Sequence, residues 1–60
     1  YADFRSANLS YAKLRAANLS HANFRDADLS YADFTDAQLL NADLESANTI
    51  GAKFNMDENS

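Results

Sequence analysis

Alanine recurs at every fifth residue from Ala2 to Ala52, and Leu or Phe stands two positions after each alanine except at Thr49. This period restricts the backbone severely. On an α-helix five residues advance by about 500°, so successive leucines would move around the axis and form no continuous stripe. On an extended strand an odd period would send successive leucines to opposite faces. A continuous helix and a plain strand are therefore both excluded.

The period is compatible with a short extended piece that is followed by a corner. In a three-residue extended piece, Ala and Leu or Phe lie two positions apart and point the same way, while the residue between them points outward. A regular repeat of this kind is one structural unit that is buried only by stacking on its neighbours. The chain is therefore predicted to coil around its own interior.

The unit Ala-(Asp/Asn)-(Leu/Phe)-x-x, as in residues 7–11 and 27–31, resembles the pentapeptide-repeat family, and the resemblance covers eleven units over residues 2–55. It implies an all-β fold, a right-handed quadrilateral β-helix (β-solenoid) with four units in each coil of 20 residues and fewer than three coils in all. We assign residues 1–55 to this repeat domain and residues 56–60 to an irregular tail or cap remnant. The resemblance also implies that the alanines and the Leu and Phe centres fill the interior. The predicted core comprises Phe4, Leu9, Leu14, Leu19, Phe24, Leu29, Phe34, Leu39, Leu44 and Phe54.

Columns at this spacing are physically coherent, since neighbouring coils would lie about 4.8 Å apart like strands of a sheet. Phe4 would lie beside Phe24, and Phe34 beside Phe54. Outward residues mostly avoid like charges between neighbours, as cross-strand pairing prefers. The exception is Arg5 above Arg25.

Two apolar residues, Leu40 and Ile50, stand where side chains should face solvent, and Thr49 occupies a centre position. Either the core accepts the Thr49 hydroxyl or a local bulge turns Ile50 inward. Tyr11 and Tyr31 share one corner column, where stacking between coils and contact with a partner are two compatible roles. Candidate partner-contact residues are Tyr11, Tyr31, Leu40 and Ile50, with local packing as the favoured alternative for Leu40 and Ile50.

The sequence predicts no catalytic, cofactor or metal site. His21 is the single histidine and is expected at an exposed corner without a nucleophile beside it. Asp26 and Asp36 would lie half a coil apart, too far for an acid/base pair. There is no cysteine for a disulfide or a thiolate metal site. We therefore expect a protein that is not an enzyme.

Charge and hydropathy restrict the partners. The net charge of −4, with five Lys and Arg residues, lacks the basic footprint that nucleic acid binding requires. No apolar run approaches the ~20 residues that span a bilayer, and no signal-peptide pattern opens the sequence. We expect a cytoplasmic protein that binds neither nucleic acid nor membrane.

Open ends are expected in so short a solenoid, because terminal coils expose edges and apolar centres. Flanking repeats, a protein partner or a second copy joined through the solenoid ends should cover at least one of them. These features favour a non-enzymatic structural or protein–protein interaction module. The alternative is a DNA-mimic regulator or inhibitor of a type II topoisomerase, which the family resemblance implies for some members and which the acidic charge would suit.

Overall fold

The structure, a computed structural model, describes residues 2–54, so the predictions for Tyr1, Asn55 and the tail 56–60 lie outside the described residues. Within residues 2–54 the chain forms no helix, and each five-residue unit contributes one bridging residue and a two-residue turn. Every bridge is parallel and joins residues twenty positions apart. The bridges are Asp3 to Asn23, Asn8 to Asp28, Lys13 to Asp33, Asn18 to Gln38, Asn23 to Asp43, Asp28 to Asn48 and Asp33 to Lys53. The chain is therefore a β-solenoid.

The bridging residues form four walls along the solenoid, which we number in chain order. Wall 1 holds Asp3, Asn23 and Asp43; wall 2 holds Asn8, Asp28 and Asn48; wall 3 holds Lys13, Asp33 and Lys53; wall 4 holds Asn18 and Gln38. We call residues 2–21 the first coil, residues 22–41 the middle coil and residues 42–54 the last described coil. The middle coil bridges to the first coil on one side and to the last described coil on the other.

Backbone hydrogen bonds connect successive coils at each wall. On wall 1 the N–H of Phe4 donates to the carbonyl of Asn23 over 2.7 Å, and the N–H of Asn23 donates to the carbonyl of Ala2 over 2.9 Å. The same pair of bonds recurs around residues 28, 33 and 38. Since buried backbone donors and acceptors are costly to leave unpaired, these bonds explain why neighbouring coils stay in one register.

The corners are tight turns. The N–H of Ala7 donates to the carbonyl of Phe4 over 3.0 Å, and Ser6 between them has a φ of 59°. A positive φ at the third residue of a four-residue turn is typical of the type II class. In the described part of the chain, ten residues, one every five positions, take this left-handed conformation, and nine of them are not glycine. For L-residues other than Asn and Asp it costs about 1–2 kcal/mol, so the hydrogen bonds between coils must compensate for this strain.

The Asp and Asn residues of the walls cap these turns. On wall 2 the Oδ1 of Asp28 accepts hydrogen bonds from the backbone N–H and the hydroxyl of Ser30. All eight Asp and Asn residues on the walls accept the N–H of the residue two positions later. Short side chains with a carbonyl oxygen form such local bonds readily. Because the amide of Asn and the carboxylate of Asp both supply this oxygen, the cap does not require a charge.

The interior is apolar and narrow. Phe24, Leu29 and Phe34 are the largest fully buried side chains, and Ala22, Ala27 and Ala32 lie beside them with at most 1% exposure. Leu19 completes the buried cluster. The other predicted core residues are half-buried and pack against this cluster: Phe4, Leu9, Leu14, Leu39, Leu44 and Phe54.

Position 49 keeps the regular register. Thr49 accepts the N–H of Ala52 over 3.1 Å, as Leu44 accepts that of Ala47 over 3.0 Å. Ile50 points to solvent with 66% exposure, and its N–H donates to the Oδ1 of Asn48. The bulge that would turn Ile50 inward is therefore absent here, because the Asn48 cap and the turn bond hold the chain in place. Thr49 itself is exposed in the last described coil.

Candidate protein-binding surface

One corner of the solenoid concentrates exposed apolar side chains. It joins wall 2 to wall 3, and we call it the tyrosine edge; it consists of Ser10, Tyr11, Ser30, Tyr31, Ile50 and Gly51. The N–H of Tyr11 donates to the carbonyl of Ser30, and the N–H of Tyr31 donates to the carbonyl of Ile50. Tyr11 is 71% exposed, Tyr31 53% and Ile50 66%. Three large side chains thus form one apolar stripe along the solenoid.

The two tyrosine rings stack. Their centroids lie 5.2 Å apart with an angle of 13° between the planes, a separation within the range that offset-stacked aromatic pairs favour. Gly51 leaves room for the Tyr31 ring, because a Cβ at this position would lie 2.5 Å from two carbons of that ring. Gly51 also has a φ of 72°, which glycine adopts without steric penalty. The edge therefore presents two stacked rings, one of which lies against the backbone of Gly51.

The walls on either side of the tyrosine edge carry different charges. Wall 3 has the exposed Lys13 and Lys53 around Asp33, whereas wall 2 has one charged residue, Asp28, between two asparagines. Hydrogen bonds from the Thr35 hydroxyl and backbone lower the pKa of Asp33, with smaller contributions from Arg15 and Lys53. Hydrogen bonds from the Ser30 hydroxyl and backbone lower the pKa of Asp28. Both carboxylates are therefore charged at neutral pH.

The structure brings three of the four candidate contact residues together and separates the fourth. Leu40 is 68% exposed, but it lies at the corner between wall 4 and wall 1, where its carbonyl accepts the N–H of His21. Its position is ten residues from Ile50, which is half of the spacing between bridge partners. Sequence reasoning had grouped the two residues by their outward placement alone. Leu40 is therefore not part of the tyrosine edge.

A second corner, between wall 1 and wall 2, is occupied by ion pairs. Arg5 binds the Asp3 carboxylate with two nitrogens, at 2.9 and 2.8 Å. The side-chain hydrogen bonds from Arg5 lower the pKa of Asp3 to about 2. Arg25 lies 2.9 Å from Glu45 in the next coil. These carboxylates explain how Arg5 and Arg25 can occupy one column.

The same corner contains an open, polar depression of 480 Å³ that is lined by Asp3, Arg5, Ser6 and Asp26. The carboxylate of Asp3 is engaged by Arg5, and the lining has no His, Lys or Cys that would complete a nucleophile and base. Among residues 2–54 no group of three or more His, Asp or Glu side chains could hold a metal ion. The described part of the chain also offers no apolar helix of the length that crosses a bilayer.

Sequence reasoning missed two features of this surface. The turn caps could have been found, because Asp or Asn occupies eight of the eleven wall positions. The contact between Tyr31 and Gly51 is indicated only weakly by the sequence, in which the single glycine falls in the same column as the two tyrosines. Which atoms meet there depends on the turn conformation, which the residue types alone do not define.

Comparisons with known proteins agree with the repeat architecture. A family model described as pentapeptide repeats matches residues 2–39 in eight copies. The bridges and turns continue with the same spacing beyond the matched segment, as far as Lys53. No curated protein and no solved structure matches the chain.

Proposed function

Because the chain belongs to the pentapeptide-repeat family, we propose that it is a non-enzymatic interaction module that presents the tyrosine edge to a protein partner. In this proposal the solenoid is a right-handed quadrilateral β-helix with 20 residues in each coil, and the edge is one of its four corners. Pentapeptide repeats generally act as structural or interaction modules. The single observation that carries the proposal is the stripe of Tyr11, Tyr31 and Ile50.

The chemistry of the stripe suits protein recognition. Tyrosine is enriched in the buried centres of protein interfaces, since its ring provides apolar area and its hydroxyl provides a hydrogen bond. Isolated apolar residues on a surface need no explanation, whereas contiguous ones mark interaction sites. Among residues 2–54, three of the four large apolar side chains that are exposed share one edge.

Order in the free protein also favours binding. Association normally costs about 0.5–1.5 kcal/mol for each flexible side chain that becomes immobilised. The rings of Tyr11 and Tyr31 are already stacked, and the Tyr31 ring lies against Gly51. A partner would therefore meet two rings that already lie against each other, which lowers this cost for the tyrosines.

The test is capture of a partner by variants that differ only in which corner they change. Tyr11→Ala with Tyr31→Ala should abolish capture of proteins that the unchanged chain retains. The control Leu40→Ser removes an equally exposed apolar side chain at a different corner and should leave capture unchanged. Circular dichroism should first establish that both variants remain folded. Loss of capture with Leu40→Ser, together with retention in the tyrosine variant, would assign binding to the wrong corner and refute the proposal.

A second proposal, mimicry of DNA toward a type II topoisomerase, has one observation in its favour. Asp3, Asp28 and Asp33 have lowered pKa values and keep their charge at neutral pH. Against it, arginines lie beside several of the carboxylates: Arg5 at Asp3, Arg15 at Asp33, and Arg25 at Asp43 and Glu45. This pairing weakens the negative field that a mimic needs. We therefore rank it second.

The walls permit a clean test of mimicry. Replacing Asp28, Asp33 and Asp43 by asparagine removes three charges while an amide oxygen remains to cap each turn. We expect the unchanged chain to leave DNA supercoiling by a gyrase unaffected. Inhibition that weakens with added salt and disappears in the asparagine variant would reverse our ranking.

A further inference from the structure

The stacked rings of Tyr11 and Tyr31 place two exposed phenols in adjacent coils next to each other. We propose that these two residues form a site of oxidative cross-linking, at which a one-electron oxidant converts them into an intramolecular dityrosine. The bond would join the first coil to the middle coil. The proposal is independent of the protein-binding role, because it requires only the arrangement of the two rings.

The reaction is a coupling of two phenoxyl radicals. Each tyrosine loses one electron to the oxidant and one proton to solvent. The two radicals then combine by forming a carbon–carbon bond between ring positions adjacent to the hydroxyl-bearing carbons. The adduct regains aromaticity when the hydrogen at each joined carbon moves, as a proton, to the corresponding oxygen. The product has two hydrogens fewer than the reactant, and two equivalents of the oxidant are reduced.

The geometry brings the two reacting rings together. The ring planes are 13° from parallel and the centroids are 5.2 Å apart, so the two radicals would form side by side. The two ring carbons must still approach to bonding distance, and the rings must turn edge to edge as the product regains aromaticity. Backbone hydrogen bonds hold the two residues at the spacing of adjacent coils: Tyr11 N–H to Ser30 carbonyl and Tyr31 N–H to Ile50 carbonyl. Each side chain is more than half exposed, so oxidant can reach it and the rings can rotate as the product forms. Holding two reacting groups together replaces a bimolecular encounter by an intramolecular step.

Gly51 has a defined part in this site. Its lack of a side chain leaves room for the Tyr31 ring, since two ring carbons lie 2.5 Å from the place where a Cβ would stand. A side chain at position 51 would displace the ring and disturb the stack with Tyr11. Gly51 is thus a positioning residue for the coupling, although it takes no part in the chemistry.

The experiment uses the full 60-residue chain with Tyr1→Phe, so that Tyr11 and Tyr31 are its only phenols. A brief pulse of photochemically generated tris(bipyridyl)ruthenium(III) serves as the one-electron oxidant. We expect a monomeric product that has lost two hydrogens and shows dityrosine fluorescence. Cleavage after Lys and Arg should yield residues 6–13 joined to residues 26–53, because Tyr11 and Tyr31 fall in these two peptides. The cross-linked product should also unfold at a higher urea concentration, since the new bond restricts the unfolded chain.

Three comparisons make the test decisive. Adding Tyr11→Phe or Tyr31→Phe should abolish the joined peptide. Gly51→Ala should lower its yield with both phenols still present, whereas Ala16→Gly, at another corner, should not. Unfolding in urea should slow the coupling by about tenfold or more, because the rings then meet only by chain diffusion. The proposal is overturned if the folded chain gives no joined peptide, if the product consists of covalent dimers, or if its yield is equal in urea.

Discussion

The middle coil and the coils on either side of it contain the same kinds of residue at the same positions, yet their side chains differ in burial. Phe24 is completely buried, whereas Phe4 and Phe54 are half-buried. Each of these outer phenylalanines is stacked on one neighbour, at 5.0 Å from Phe24 and 5.2 Å from Phe34 respectively. Phe24 is also packed against the edge of Phe34 at 6.1 Å. For these phenylalanines, complete burial therefore goes with having a coil on both sides.

The comparison shows that stability is distributed along one axis. In a solenoid each unit contacts only its neighbours, so a residue contributes according to how many of its neighbours are present. Leu29 has Leu9 and Thr49 as the equivalent residues in the adjacent coils, and it is fully buried while Leu9 is half-buried. Matched substitutions in the two coils should therefore have unequal effects.

The largest inequality is expected for a carboxylate in the core. Leu29→Asp should destabilise the chain by more than about 4 kcal/mol and unfold it, because an unpaired charge would be buried and leucine packing lost. Leu9→Asp should have less than about half of this effect, since the new carboxylate can reach solvent. Circular dichroism in urea measures both. Asp28→Ser, on the outer surface of the middle coil, serves as the control and should remain folded, because serine can also cap the turn. Equal losses for Leu29→Asp and Leu9→Asp would break the comparison.

Substitutions that overpack the interior should also destabilise the middle coil more than the first coil, although the losses of stability should be smaller. Ala27 is 1% exposed, so Ala27→Leu should destabilise by about 1–3 kcal/mol as the larger side chain forces neighbours apart. Ala7, its equivalent in the first coil, is only half-buried, so Ala7→Leu should cost less than about 1 kcal/mol. Urea denaturation midpoints would reveal the difference. A stabilising Ala27→Leu substitution would contradict the interior placement of the alanines.

A substitution at Gly51 tests whether the last described coil resists strain as the middle coil is expected to do. Gly51→Ala should destabilise the chain by about 1–2 kcal/mol, because alanine is disfavoured in the left-handed conformation of this residue. The contact of the new Cβ with the Tyr31 ring should lower the stability further. In a Tyr31→Ala background only the conformational part should remain, so a double-mutant cycle gives the ring contribution. A coupling energy of zero would show that an end coil can relax away from the ring.

The smallest effect is expected for the ion pair between Arg5 and Asp3. Both residues belong to one unit, so the difference between the middle coil and the outer coils should not affect their contact. The pKa of Asp3 falls from 3.8 to about 2 when the chain folds, chiefly through the hydrogen bonds from Arg5. A lowered folded-state pKa means that the contribution to stability is present above pH 3.8 and is lost as the pH falls toward 2. Asp3→Asn should remove this part of the acid dependence, measured as the change in urea midpoint between pH 5 and pH 2. The effect should be slight because both side chains are more than half exposed.

Much of the fold follows from the sequence, because the fold depends on the spacing of apolar residues along the chain. A period of five, with apolar residues two positions apart, is incompatible with a regular helix or strand and places Ala27 and Leu29 on the inner side. The stacking of Phe4 on Phe24 and of Tyr11 on Tyr31 then follows from residues at equal positions in adjacent coils. The candidate surface was predicted less well, since outward placement alone could not distinguish the corner of Leu40 from that of Ile50.

The sequence by itself thus determined the repeat, the direction of the side chains in the regular units and the apolar character of the interior, because these depend on local order along the chain. Only the tertiary structure decided the contacts that the column spacing does not define. It paired Arg25 with Glu45, placed the Tyr31 ring over Gly51 and kept Ile50 in solvent through the Asn48 cap. It also made Phe24 fully buried and left Phe4 partly exposed. The physical reason is that contacts between coils join residues about twenty positions apart, and their energy depends on the backbone conformation of both turns and on which coils are present on each side.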